Sequence, residues 1–197
     1  MMRQRKLYSY VVQHDEGRAP NPYFGVCTLC RCKFRDGPGK PKNVVELAKK
    51  GDWIVGTGGA DARKSAGHRK VVFAMQVDKK LTRGEYYDDP RFARKRPLKN
   101  GTYAQKKGDN ERPKNPFERH DQFVLISRHF YYFGAKAICI PEDFPRIEKK
   151  GPGFKTSEFD PEYISRFVHW LEKNQQPGRQ GEPCMKPEGA RGCKLSC

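Results

Sequence analysis

Residues 49–59 of the chain read Lys-Lys-Gly-Asp-Trp-Ile-Val-Gly-Thr-Gly-Gly. Trp53 heads a short apolar run that exits through glycines 56, 58 and 59, with Thr57 between them. Glycines let a ligand approach backbone N–H groups. Lys64, Ser65, His68, Arg69 and Lys70 follow closely and supply charge that could neutralise a phosphate. The spacing fits neither a P-loop nor a dinucleotide fingerprint, so ATP and NAD are not implied. A core tryptophan followed by a flexible hairpin is the competing reading.

A second stretch, Tyr86-Tyr87-Asp88-Asp89-Pro90-Arg91-Phe92, continues to Lys95-Arg96-Pro97. Aromatic faces stack on bases, Arg and Lys pair with phosphates, and a carboxylate accepts from a base amino group. Tyr86, Tyr87, Asp88, Asp89, Arg91, Lys95 and Arg96 are therefore candidate nucleotide contacts. A turn whose Asp side chains cap backbone N–H groups would use the same residues.

Acid–base chemistry has four candidates, His14, Asp15, Asp121 and His129. His14 and Asp15 leave the first strand and enter a loop that holds Asn21 and Pro22. Asp121 follows His120, and His129 follows Ser127-Arg128 and precedes the aromatic run from Phe130 to Phe133, which contains Tyr132. No nucleophile elbow surrounds Ser127, so a serine triad has little support. Cys27-Thr28-Leu29-Cys30-Arg31-Cys32 offers Cys27, Cys30 and Cys32 as metal ligands, completed by Cys184, Cys193, Cys197 or a histidine. Zinc is the metal such ligands would suit, although ordinary small buried thiols explain them as well. No cofactor is predicted.

The elements that must position these residues are partly readable. Apolar and β-branched runs predict strands over residues 6–13, 52–57, 70–77, 123–127 and 135–140. Asn43 caps a short helix over 44–50, and residues 82–87 form a helical or turn segment. Asp160 and Pro161 open a helix over 161–173 whose Ile164, Phe167, Val168 and Leu171 share one face. Residues 91–119 read as a long irregular excursion and 130–134 as an aromatic connector. The expectation is one α+β domain over residues 1–173, a small mixed β-sheet or a barrel with flanking helices, followed by a flexible, basic, cysteine-containing tail over 174–197.

Forty Lys and Arg face 23 Asp and Glu, a formal net charge of +17. Charge of this size draws polyanions by steering and counterion release, which points to DNA or a nucleotide as partner. No apolar window is long enough to span a bilayer and no signal peptide is evident, so no membrane partner is expected and the location is cytoplasmic. Seven cysteines, an odd number, read as reduced thiols or metal ligands before disulfides.

Taken in order, residues 7–12 (Leu-Tyr-Ser-Tyr-Val-Val), His14-Asp15, Asn21-Pro22, residues 24–28 (Phe-Gly-Val-Cys-Thr), residues 51–58, residues 86–92 and Lys95-Arg96-Pro97 resemble the nucleotide modification associated domain 2 family of bacteria and their phages. The resemblance covers roughly residues 6–145. It implies a link to DNA base modification, with a modification enzyme as a candidate partner. The short helix, the strand opening at Lys-Lys-Gly-Asp-Trp and the glycine-rich turn are also similar to the PUA-like group, which includes EVE and YTH domains. That likeness implies a small β-barrel with an aromatic-walled pocket for a modified base, Trp53 near its wall and Thr57 near its mouth. On this reading Trp53, Tyr86, Tyr87 and Tyr132 stack on an extruded base. Asp88, Asp89 and Asn21 read its edge, while Lys64, Arg69, Lys95 and Arg96 hold phosphates. The alternatives are a base- or nucleotide-modifying enzyme using the His and Asp candidates, and a zinc-stabilised nucleic-acid scaffold.

Overall fold

The computed structural model describes residues 3–30, 43–95 and 123–185. Arg96, Asp121, Cys32 and most of the expected excursion over 91–119 lie outside them. The main sheet is built from β1 (Leu7–Val12), β3 (Trp53–Gly58), β4 (Lys70–Gln76) and β7 (Phe130–Tyr132), with short additions β8 (Ile138–Cys139), β9 (Phe154–Lys155) and β10 (Gly178–Arg179). Its order is β10-β7-β4-β3-β1-β9, with β8 paired to β4. The sheet is mixed: β1 runs parallel to β3 and β10 parallel to β7, and the remaining pairs are antiparallel. A second, antiparallel sheet has the order β2-β6-β5, from β2 (Cys27–Leu29), β5 (Lys79–Thr82) and β6 (Phe123–Ser127).

Side-chain alternation along the strands sorts the core into layers. On one face of the main sheet, Leu7, Trp53, Val55, Ala74, Tyr131 and Phe133 pack on α3 (Pro161–Asn174) through its Tyr163, Ile164, Phe167 and Leu171. On the other face, Tyr8, Tyr10, Ile54, Met75, Phe130 and Tyr132 meet the small sheet and α1 (Val44–Leu47). Beyond the small sheet, Val124 and Ile126 cover Tyr86 and Tyr87 of α2 (Arg83–Asp88) together with Phe92. Neither sheet closes among the described residues, so the mixed-sheet expectation holds and the barrel does not.

The helices start where the sequence places them. Asn43 and Thr82 each form a capping box, with Glu46 and Glu85 respectively, and the Asp160 side chain accepts from Tyr163 N at 2.8 Å. Two expectations change. Residues 130–132 are a strand, not a connector, and of residues 135–140 only Ile138–Cys139 are extended. The chain after α3 is also bound to the sheet as far as residue 185. Gln180 N donates to Tyr132 O at 2.8 Å, Ala135 N to Glu182 O at 2.7 Å, and Cys184 is buried. This approach needs Gly181, where a Cβ would stand 1.9 Å from the Phe133 carbonyl oxygen.

Candidate functional site

Two of the crossings between the sheets lie side by side, one at Asp78 after β4 and one at Arg128-His129 after β6. The crossings are tied together. Asp78 N donates to Ile126 O at 2.9 Å, Arg128 N donates to the Asp78 carboxylate at 2.5 Å, and Gln76 N donates to His129 O at 3.0 Å. A cleft of about 580 Å³ opens at this junction. Val26, Phe92 and Ile126 supply its apolar surface, and Lys50, Lys79, Arg91, Arg128, His129 and Asp78 its polar rim. The volume and the mix of apolar floor and few polar groups suit a small ligand. A hollow of about 700 Å³ formed by residues 145–158 is larger, but Glu148 and Glu158 offset its lysines and leave little net charge.

Arg91 on the cleft rim is gripped by Asp89, which lies outside the lining, at 2.9 Å, and that guanidinium holds the Asp89 carboxyl down at about 2. His129 is set between elements: its Nε2 lies 3.2 Å from the Tyr131 hydroxyl and 3.6 Å from the Glu172 carboxylate on α3. The Trp53 ring meets the imidazole edge-on at 5.2 Å. Burial, then the nearby Glu172 charge, raises the Tyr131 pKa. The cleft therefore combines four cations, one carboxylate, and an imidazole with a carboxylate and a phenol beside it.

The four aromatic candidates are not brought together. Trp53 lies under α3, Tyr132 on the opposite face of the same sheet, and Tyr86 and Tyr87 beyond the small sheet. One base cannot touch all of them. Tyr86 instead stacks on Phe92, the rings 4.9 Å apart. Asp88 is exposed on the same helix. Thr57 is fully buried and bonded to Tyr10 O at 3.3 Å, at no mouth.

Asp15 and His14 separate as well. His14 faces solvent, whereas Asp15 is buried and joins distant segments. Its carboxylate accepts from the Tyr132 hydroxyl at 2.6 Å and from Cys184 N at 3.0 Å. Its backbone bonds Lys64 O and Met185 N. Burial raises the Asp15 pKa against these hydrogen bonds. Lys64, which pairs with Asp61 at 3.6 Å, and Arg69 are exposed.

Lys95 is an internal cation, only 2% exposed. Its ammonium donates to Asn21 O and Oδ1, both at 2.9 Å, and to Tyr23 O and Val26 O, both at 2.7 Å. Burial brings its pKa down to about 8, so it stays charged at neutral pH. Lys95 and Asn21 are thereby committed to each other, and Lys95 does not reach an external phosphate.

Among the described residues, no group of three or more His, Cys, Asp or Glu is placed to hold a metal. Cys27, Cys30 and Cys184 are not in disulfides, whereas Cys139 is disulfide-bonded, unlike the reduced state expected of it. Burial pushes the Cys27 thiol up to about 12. Because the thiolate is the reactive form, iodoacetamide should spare Cys27 in the native protein and alkylate it after unfolding in urea. Peptide mass spectrometry reads the difference, and equal labelling in both states would contradict the placement.

Sequence reasoning missed Lys50, Asp78, Lys79, Phe92 and Arg128 as one group. They come from four segments, and only the paired crossings between sheets bring them together. No helix among the described residues is long and apolar enough to cross a membrane. No curated protein and no solved structure matches the chain. A family model does, over residues 4–115 and 113–189. The chain belongs to the nucleotide modification associated domain 2 family.

Proposed function

We propose that the chain binds nucleotides of modified DNA, and that the cleft at the sheet junction is where it does so. The observation that carries this reading is the clustering of Lys50, Lys79, Arg91 and Arg128 around an apolar floor with a single carboxylate, Asp78. Lys79 and Arg128 flank the crossings and hold phosphate. Phe92, Val26 and Ile126 offer the base an apolar surface, and Asp78 accepts from an exocyclic amino group. The net charge of +17 brings the polyanion to the surface.

The test is binding of short DNA, with and without modified bases, across a salt series. The double variant Lys79→Ala/Arg128→Ala should lower the slope of log affinity against log salt by about two, one for each phosphate contact. A preference for modified DNA that persists at high salt marks a base pocket. Wild-type affinity and slope in the double variant would refute the cleft as the site.

A second reading has one observation in its favour, the His129 imidazole backed by Glu172 and Tyr131 at the cleft wall. An imidazole so placed can move a proton, which makes the chain an enzyme acting on the bound base. Mass spectrometry of the same incubations separates the two readings. A mass change lost in His129→Gln supports catalysis, and unchanged nucleotides leave binding alone.

A further inference from the structure

Asn21 and Thr28 close a loop on itself, with Asn21 N donating to Thr28 O at 2.8 Å and Thr28 N to Asn21 O at 3.0 Å. The Lys95 ammonium sits inside and bonds oxygens on both arms, at Asn21, Tyr23 and Val26. A loop wound around a buried cation has little freedom. At its tip, Phe24 adopts φ +61° and Gly25 φ +74°. The left-handed region is strained for a bulky L-residue, and such strain gathers at functional positions. Burial does not offset it here. Phe24 is 38% exposed, the one large hydrophobic side chain presented to solvent among the described residues.

Its surroundings are cationic. The Arg94 guanidinium lies 4.0 Å from the centre of the Phe24 ring. Tyr23 stands beside it at 6.2 Å, and Arg179 lies 4.8 Å over the Tyr23 ring. The same loop reaches the cleft through Val26. An exposed phenyl ring with one guanidinium over it and a second, paired with Glu182, over the neighbouring Tyr23, next to a cleft of nucleotide size, matches the alternation of base and phosphate along a DNA strand.

We propose that Phe24 is a stacking wedge that takes the place of a base extruded from duplex DNA into the neighbouring cleft, with Arg94 and Arg179 on the adjoining phosphates. This rests on the cleft being the nucleotide site. Reaching a base in a duplex requires unstacking it, and an inserted apolar side chain fills the gap left behind. The strain at Phe24 then has a use: it aims the ring outward, where the fold alone would have no reason to put it.

The test is a short duplex carrying 2-aminopurine, whose fluorescence rises when the base leaves the stack. Wild-type protein should brighten it severalfold. Phe24→Ala should bind the duplex about tenfold more weakly, the effect of one lost base–aromatic stack, and should not brighten it. Phe24→Trp should restore both. Phe24→Gly should keep or raise the melting temperature while losing the brightening, since glycine adopts this backbone without strain. Mononucleotide binding should be unchanged in all three, because the cleft is intact. Brightening by Phe24→Ala equal to wild type overturns the wedge even if the cleft stands. Loss of mononucleotide binding in Lys79→Ala/Arg128→Ala alone, with Phe24 variants as stated, supports both assignments. Failure of wild-type protein to bind any mononucleotide removes the cleft and the wedge's role beside it.

Discussion

Lys95→Met should lose about 3–5 kcal/mol of stability in urea unfolding, the cost of leaving a buried polar cradle without its partner. Methionine fills the same volume, so packing is not what changes. What changes is that the oxygens of Asn21, Tyr23 and Val26, buried or partly buried, lose the ammonium they share, although Asn21 O keeps its bond from Thr28 N. Lys95→Arg should not rescue the loss, because a planar guanidinium fork does not satisfy oxygens arranged around a compact ammonium. A surface lysine contacting phosphate would behave in the opposite way. Its removal would leave stability untouched and lower the salt slope of DNA binding by about one. In Lys95→Met the folded fraction should bind with an unchanged slope. Stability within about 1 kcal/mol of wild type would show that the cradle does not hold the loop.

Asp52→Ala should cost about 3 kcal/mol, because two backbone N–H donors and a guanidinium lose a fully buried carboxylate acceptor. The Asp52 side chain is fully buried and accepts from Lys6 N and Lys49 N, each at 2.9 Å, and from the Arg3 guanidinium at 2.7 Å. These bonds hold the entry of β1 against the entry of β3, where Trp53 N also donates to Lys6 O at 2.9 Å. A parallel pair has no hairpin to set its register, so a side-chain clamp at its start does that job. Arg3→Ala should cost no more than about 1 kcal/mol, since that arginine is partly exposed and its loss leaves the two backbone bonds in place. Thermal and chemical unfolding of both variants check the contrast. Equal costs would mean the ion pair, not the backbone clamp, carries the effect.

The elements that were legible are those with their own local signal. β1, β3, β4 and β6 are apolar runs, and α3 carries its N-cap, its proline and its stripe. β5 was not legible because its Lys79 and Lys80 read as a polar link, although the strand pairs with β6 along its length. β9 and β10 are two residues each and exist only through pairing with β1 and β7. For the site, residue types were a fair guide and grouping was not. Trp53 and Tyr132 are both large, buried aromatics, but which face each occupies follows from register. Trp53 pairs across from Leu7, and Tyr132 across from Phe73. Lys95 was misplaced for a different reason. A lysine in a basic stretch is nearly always solvated, and only tertiary structure supplies the oxygens that bury this one.

The pairing of β10 with β7, and the bond from Cys184 N to Asp15, has a consequence for the order of events on the ribosome. β7 is complete once residue 132 has emerged, but its outer edge stays open until Gly178–Arg179 arrive. Over the same interval the Asp15 carboxylate lacks one of its partners, contributed at residue 184. An open strand edge is a template for wrong pairing. The nascent chain therefore carries this open edge through the synthesis of α3, and the late strap that covers it also supplies the last partner of Asp15.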